Sequence, residues 1–299
     1  MAELFFQALT SGIAIGLVYG LVAVGLLLVF SVGHVINLAH GEVITIGMYA
    51  GLIAIAAFGM PYYVALITVP LLGFVVGLAM ERIGYRPFHR ASAGGGGHEG
   101  LLMIFISTLA LSLGLQGALT LVFPTEGSGF PSVLSITAYK FGPVRVTQPD
   151  LLLAGVGLLS AAAVAYFLRF TQVGRSFRAI AQNPAAASLM GINAGRVSSL
   201  GWGLSGLLAA LAGVLLGPGT VISPYTGGGY LFIAFAAAVL GGFGSIEGAL
   251  VGGLLLGLAQ TFFSAFVSTG WSSLVAFGVL IVVLLVRPQG LFGFSTERV

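Results

Sequence analysis

The chain is a succession of apolar runs separated by short polar joints. The runs stand at roughly 8–30, 42–59, 61–80, 101–123, 151–168, 197–217, 230–243, 248–268 and 272–286. A lipid-spanning helix needs about 20 apolar residues, and backbone groups in hydrocarbon are satisfied only inside a helix or a closed barrel. Barrel strands alternate apolar and polar residues, and these runs do not. The pattern predicts an all-α, polytopic integral membrane protein with about eight or nine transmembrane helices, some of them broken. Two places stay open: the stretch around 31–41 reads as a loop or a re-entrant break, and 230–243 is short for a full crossing.

Composition removes the soluble alternatives. Of 299 residues, 58% are hydrophobic, 47 are glycine and only 6% are charged, against about 25% charged in ordinary globular chains. So little polar surface cannot clothe a water-soluble fold of this size, which leaves one membrane domain over 1–299 and no separate soluble domain. Cysteine is absent, which excludes a disulfide framework and a thiolate-bound metal. No Lys or Arg precedes Arg82, so the first span lacks the basic flank of a cleavable signal and is expected to persist.

The few charges sort by loop. Arg82, Arg86 and Arg90 follow the third run, Arg169, Arg175, Arg178 and Arg196 lie between the fifth and sixth, and Arg287 and Arg298 close the chain; Lys140 and Arg145 occupy the other long loop. By the positive-inside rule, loops 81–100 and 169–196 and the C-terminus are expected in the cytoplasm and loop 124–150 outside. No basic run suggests nucleic acid. The glycines at 94–97 lack the Gly-Lys-Ser/Thr ending of a phosphate loop, and His98-Glu99 lacks the second histidine of a metalloprotease helix. The segment reads as a flexible tip, with no nucleotide, metal or other cofactor expected on this chain.

Three segments carry more than membrane character. In Gly33-His-Val-Ile-Asn-Leu-Ala-His-Gly-Glu42 a polar, Gly-containing joint interrupts two apolar runs. One reading is a broken helix lining a solute path, with Asn37, His40 and Glu42 as the polar wall and Gly41 giving backbone freedom. The other is a short cytoplasmic turn whose Glu42 favours the positive end of the next helix. The segment Leu240-Gly-Gly-Phe-Gly-Ser-Ile-Glu-Gly-Ala-Leu250 again sets an acid, Glu247, before a Gly-rich helix, in a similar place in the second half of the chain. Matched Gly-interrupted segments in pseudo-repeated halves point to a transporter's central site, although Gly248, Gly252 and Gly253 also suit close helix packing. Third, Arg175 and Arg178 precede Asn183-Pro184, an N-cap with proline at the first helical position, and Gly191 is a natural stop. The short helix between them is marginal alone. It reads as a docking element for a partner or as an interfacial helix on lipid.

At these segments the chain resembles the permease subunits of ATP-binding-cassette importers of the branched-chain (hydrophobic) amino acid type, and among them the LivH-type member of the permease pair. Ile36-Asn-Leu-Ala-His-Gly-Glu42, Gly174-Arg-Ser-Phe-Arg-Ala with Ala185-Ala-Ala-Ser-Leu-Met-Gly-Ile, Leu240-Gly-Gly-Phe-Gly-Ser-Ile-Glu-Gly and Arg287-Pro-Gln-Gly-Leu-Phe-Gly carry the resemblance over nearly the whole chain. It implies a multi-pass permease in a bacterial-type inner membrane. Its partners would be a second homologous permease, two cytoplasmic ATPase subunits and an extracytoplasmic solute-binding protein. It also implies that 169–196 couples to the ATPase through Arg175, Arg178, Asn183, Pro184, Ala186 and Gly191. The family's acid in that motif is replaced by Ala185, so the geometry carries over and the acid's contacts do not. Asn37, His40, Gly41, Glu42 and Glu247 then become candidates for the translocation path. Similar permeases carry urea, short amides or aromatic and small carboxylates, so the solute is open within the family. An ion-coupled secondary transporter would be expected to hold more intramembrane acids than Glu42 and Glu247, a passive channel needs no ATP, and an intramembrane enzyme needs a nucleophile with its base or a metal cluster. Four scattered histidines and no cysteine speak against the last.

Overall fold

The computed structural model describes all residues except 93–97, 132–137, 142–143, 288 and 293–299. The Gly94–Gly97 tip and part of the C-terminal Arg287–Gly293 motif thus lie outside the described residues. Chain order is α1 (Ala2–Gly33), α2 (His40–Ala56), α3 (Tyr62–Met80), a π-turn (Glu81–Tyr85), α4 (Arg86–Ser92) and α5 (His98–Val122). A hairpin of β1 (Ala138–Phe141) and β2 (Val144–Thr147) follows, then α6 (Gln148–Phe170), α7 (Gln172–Gln182) and α8 (Pro184–Leu189). The chain ends with α9 (Ala194–Leu216), α10 (Thr226–Gly241), α11 (Ile246–Phe266) and α12 (Ser272–Val286). Every apolar run of the sequence becomes a helix. Six helical stretches among the described residues are long and apolar enough to cross a membrane, and α2, α10 and the apolar part of α12 are shorter. The hairpin inside the 124–150 loop was not expected. It is a local antiparallel pair, with Tyr139 opposite Val146.

Two compact units interleave along the sequence: residues 1–27, 132–166 and 232–299 form the first, and 28–131 and 167–231 the second. Neither coincides with a sequence half.

In the first unit the packing is set by missing side chains. Lipid is as apolar as leucine, so helices associate through close van der Waals approach and interhelical hydrogen bonds. Gly12, Gly16 and Gly20 recur every fourth residue on α1 and meet Gly253 and Gly257 of α11, where a Cβ on either would strike the α1 backbone. Another face of α11 meets α10: Gly248 lies against Gly241, and Gly252 against Ala237. Tyr19 donates to Gln260 Oε1 at 2.9 Å. Gly241, Gly248, Gly252 and Gly253 therefore serve close packing, whereas Gly242 and Gly244 hold left-handed backbone in the turn before Glu247.

The second unit is organised around α9, which is buried on nearly all sides from Leu208 to Leu216. Gly47 of α2 faces Ala210, and Gly73 and Gly77 of α3 face Gly206 and Trp202. Tyr62 donates to the Val214 carbonyl at 3.0 Å. The same unit fixes which loops share an end. Ser128 and Ile222 exchange backbone hydrogen bonds of 2.7 and 2.9 Å, joining the segment after α5 to the segment after α9. At the other end, the close of α1, the π-turn and α4, the start of α5 and the start of α9 line one cavity. Outward faces are apolar, with Leu113, Leu121 and Ile67 exposed.

Candidate functional site

Helix α1 ends at Gly33 and α2 begins at His40. Between them the chain cannot continue helically: His34 sits at φ 52°, a left-handed conformation for which histidine is among the more tolerant side chains. Asn37 then closes a local turn, its Oδ1 accepting from the Ala39 amide at 3.1 Å while the Asn37 carbonyl takes the His40 amide at 3.2 Å. Six irregular residues would be costly in lipid, where each unsatisfied backbone group carries a penalty; such backbone persists only inside protein or against a cavity.

The break delivers three polar side chains into the interior of the second unit. Asn37, His40 and Glu42 are each at most 3% exposed. His40 Nδ1 lies 3.0 Å from Ser205 Oγ, and Ser112 donates to Glu42 Oε1 at 3.1 Å. Glu42 Oε2 is buried with no hydrogen-bond partner. The depth of this cluster follows from its anchors. Ser112 is the fifteenth of the 25 residues of α5 and Ser205 the twelfth of the 23 of α9, so both lie near the middle of helices about 35 Å long. The sequence left a broken helix and a terminal turn open. Glu42 stands in the first turn of α2, as the second reading expects, yet it is buried against the middle of α5, and not at an exposed turn. An acid at that depth costs roughly 2.5–3.5 kcal/mol or more unless protein or water receives it.

Gly41 needs a correction. Its φ is not in the left-handed region, so backbone freedom is not its function. A Cβ built on it would come within 2.7 Å of the Gly227 carbonyl oxygen, and one on Gly227 would strike the Gly41 carbonyl. The pair lets α2 and the start of α10 touch backbone to backbone, an approach closed by a 2.9 Å bond from the Gly227 amide to Thr45 Oγ1.

Glu247 is placed differently from Glu42. It is exposed, in the first turn of α11, beside the N-cap Ser245, whose Oγ accepts from the Gly248 amide at 3.0 Å. It belongs to the first unit and the other four candidates to the second. The buried acid that the sequence reading did not count is Glu81, 1% exposed and paired through Oε1 with Arg86 Nε at 2.9 Å. Ser112 and Ser205 were also missed. Their only trace in the sequence is a hydroxyl inside an apolar run, and each run holds others: Ser107, Thr108 and Thr120 beside Ser112, and Ser198 and Ser199 beside Ser205.

The 169–196 segment folds as its punctuation suggests. Thr171 caps α7 by accepting from the Gly174 amide at 3.0 Å, Asn183 caps α8 from the Ala186 amide at 3.0 Å, and Pro184 is its first residue. Gly191 stops the turn at φ +80° with open space around it, so only its backbone conformation requires glycine. Arg178 donates to the Leu168 carbonyl, tying α7 to the end of α6. Arg175 is exposed, and beyond Ala186 the tip presents Leu189 and Met190 at 88% and 83% exposure. Among the described residues no group of three or more His, Asp or Glu could hold a metal.

A polytopic helical protein whose chain breaks around buried polar side chains has the build of a transport protein. The family described as branched-chain amino acid transport system / permease component matches residues 8–284, and the chain belongs to it. It is a permease component of an ATP-binding-cassette importer, a transport subunit and not an enzyme. The high-affinity branched-chain amino acid transport system permease protein LivH of Escherichia coli (strain K12) is 36% identical, covering 97% of this chain and 96% of that protein. BraD of Pseudomonas aeruginosa, named as a permease of the same kind of system, is also 36% identical over 97% and 96%. The ribose import permease protein RbsC of E. coli is 33% identical over 63% of this chain and 61% of that protein.

Proposed function

We propose that this permease carries branched-chain or other hydrophobic amino acids across a bacterial-type inner membrane, through a path whose polar wall is Asn37, His40 and Glu42. The observation that supports this most is the orphaned Oε2 of Glu42. A buried carboxylate with one oxygen bonded and the other open is set to receive an N–H donor, and the ammonium of an amino acid supplies one. Gly41 shapes the wall by close approach, and Glu247 stands apart from it, at an exposed helix start of the first unit. The full assembly in this reading pairs the chain with a second homologous permease, two cytoplasmic ATPase subunits and an extracytoplasmic solute-binding protein.

The end of the second unit carrying α4, α7, α8 and the start of α9 faces the cytoplasm, because it collects the arginines of loops 81–100 and 169–196. The C-terminus lies on the same side, and the segment 124–150 lies outside. In the coupling segment Arg178, Asn183, Pro184 and Gly191 fix the geometry, while Arg175, Ala186 and the exposed Leu189 and Met190 meet the ATPase surface. Energy then enters as a push on α8 and α9, and α9 carries Ser205 of the polar wall.

The test is reconstitution of the assembled transporter in liposomes with ATP and labelled solute. Leucine, isoleucine or valine uptake that requires ATP and survives collapse of ion gradients supports the reading. ATP-driven uptake of urea, short amides, carboxylates or ribose with none of leucine replaces the solute. Uptake that follows an ion gradient without ATP contradicts the mechanism.

A further inference from the structure

The cavity at the coupling end of the second unit has a volume of about 640 Å³, within the range of roughly 300–1,000 Å³ common for small-molecule sites. Gly33 and His34, at the start of the break, line it, but Asn37, His40 and Glu42 do not. Part of its wall is apolar, from Val32 and the buried Ile104 and Ile180. The polar part is built by the π-turn, a geometry that is rare and concentrates at functional positions. It is pinned there by Ser107, which donates to the Gly84 carbonyl.

Two buried groups in this wall lack partners. Glu81 Oε1 accepts from Arg86 Nε at 2.9 Å, and Arg86 donates through Nη2 to Ser199 Oγ at 2.9 Å. Glu81 Oε2, however, is buried with no partner, and so is the Oγ of Ser198, itself 6% exposed. Buried polar atoms are nearly always satisfied, so two orphans on residues that line one cavity ask for a partner. The Glu81–Arg86 pair is neutral as a unit. What remains is an acceptor at Glu81, a hydroxyl at Ser198, the imidazoles of His34 and His89, the cationic Arg196 at an exposed lining position, and an apolar flank. A lone anion would leave Glu81 Oε2 facing a like charge. A lone cation would leave Arg196 unmatched. A zwitterion with an aliphatic side chain meets both signs of charge: ammonium to Glu81, carboxylate to Arg196 and Ser198, side chain to Val32, Ile104 and Ile180, with His34 and His89 completing the polar wall.

We infer that this cavity is a second binding site for the transported hydrophobic amino acid, separate from the path at Glu42, through which solute accumulated on the coupling side slows further uptake. Pro184 and Asn193, the first residue of α8 and the cap of α9, are part of the same wall. A ligand held between them and the π-turn restrains the helices that transmit the ATPase stroke. The inference rests on the proposed solute for its ligand and on the cavity for its place.

The experiment uses the complete transporter in liposomes loaded with ATP and with increasing L-leucine, and reads the initial rate of labelled leucine uptake. Each variant is compared with itself unloaded. Internal leucine is expected to lower the wild-type rate severalfold, while 4-methylpentanoate, which has the same side chain and carboxylate but no ammonium, does not. Glu81→Gln and Ser198→Ala are each expected to raise the half-inhibiting leucine concentration at least tenfold. If Glu81→Gln does not assemble, Ser198→Ala and Arg196→Gln carry the comparison. Wild-type uptake without feedback, or feedback with an unchanged half-inhibiting concentration in the variants, overturns this inference alone. Absence of leucine uptake by the wild type overturns the proposed solute and this inference with it.

Discussion

Ser112 of α5 donates a 3.1 Å hydrogen bond to Glu42 of α2, seventy residues earlier, at the middle of a long apolar helix. It satisfies one carboxylate oxygen and leaves the other open. The arrangement makes sense of a costly acid in a chain with only eight acids in all. Ser112 is thus a positioning residue. Ser112→Ala removes one charge-assisted bond, worth about 1.5–3 kcal/mol where the acceptor is charged. Thermal unfolding of the purified protein in detergent should show a lowered Tm, and leucine uptake should fall by less than it does when the acid itself is changed. An Ala variant more impaired in uptake than Glu42→Gln would show that Ser112 itself meets solute.

The backbone contact between Gly41 and Gly227 predicts a size threshold. A methyl group on Gly41 would crowd the Gly227 carbonyl, and overpacking of this kind costs typically about 1–3 kcal/mol. Gly41→Ala should lower Tm and membrane abundance, whereas Gly228→Ala, with nothing within 4 Å of the added carbon, should leave both near wild type. Equal Tm values for the two variants would contradict the close approach.

Gly191 is required for its φ of +80° and not for space. Asparagine tolerates that conformation and β-branched residues do not. Gly191→Val should insert normally yet lose the coupling of ATP hydrolysis to uptake, and Gly191→Asn should keep most of it. Loss in both variants would mean that the position is read by shape at the ATPase surface.

Sidedness can be read with single cysteines because the natural chain has none. Thr125→Cys and Leu189→Cys, both exposed positions, should react with an impermeant maleimide from opposite sides, Thr125 from outside and Leu189 from the cytoplasm. Labelling of both from one side would refute the assigned topology.

Much of this architecture was legible because the physics of lipid is unforgiving. Runs of about 20 apolar residues have few alternatives to a helix, and each became one. The α7–α9 segment was equally readable, since Asn183, Pro184 and Gly191 each act locally, through a side-chain cap, a fixed φ and a left-handed φ. The hairpin at Ala138–Thr147 was not, because a short strand pair in a polar loop leaves no long periodicity. The packing code was half visible: Gly252 and Gly253 were read as packing residues, but the Gly12, Gly16, Gly20 row on α1 gains meaning only when α11 is seen against it. The candidate site was the least legible. His40 and Glu42 stand out as polar residues in an apolar stretch, but their partners Ser205 and Ser112 are more than sixty residues away, and nothing local marks them. Depth misled in the same way. Sequence position made Glu42 and Glu247 a pair, and both do stand in the first turn of a helix, but one is buried against the middle of α5 and the other is exposed; among the described residues Glu81, hidden in a loop of arginines, is the second buried acid.

The central claim is that the open oxygen of Glu42 meets the solute's ammonium on its way through. Glu42→Gln keeps the side chain's size and one acceptor for Ser112 but removes the charge and can set an amide N–H where an N–H donor must arrive. ATP-driven leucine uptake by the purified, reconstituted transporter is the direct measurement. With normal membrane abundance and normal basal ATP hydrolysis, the account predicts that Glu42→Gln slows uptake at least tenfold. Uptake at the wild-type rate would remove Glu42 from the path and contradict the account.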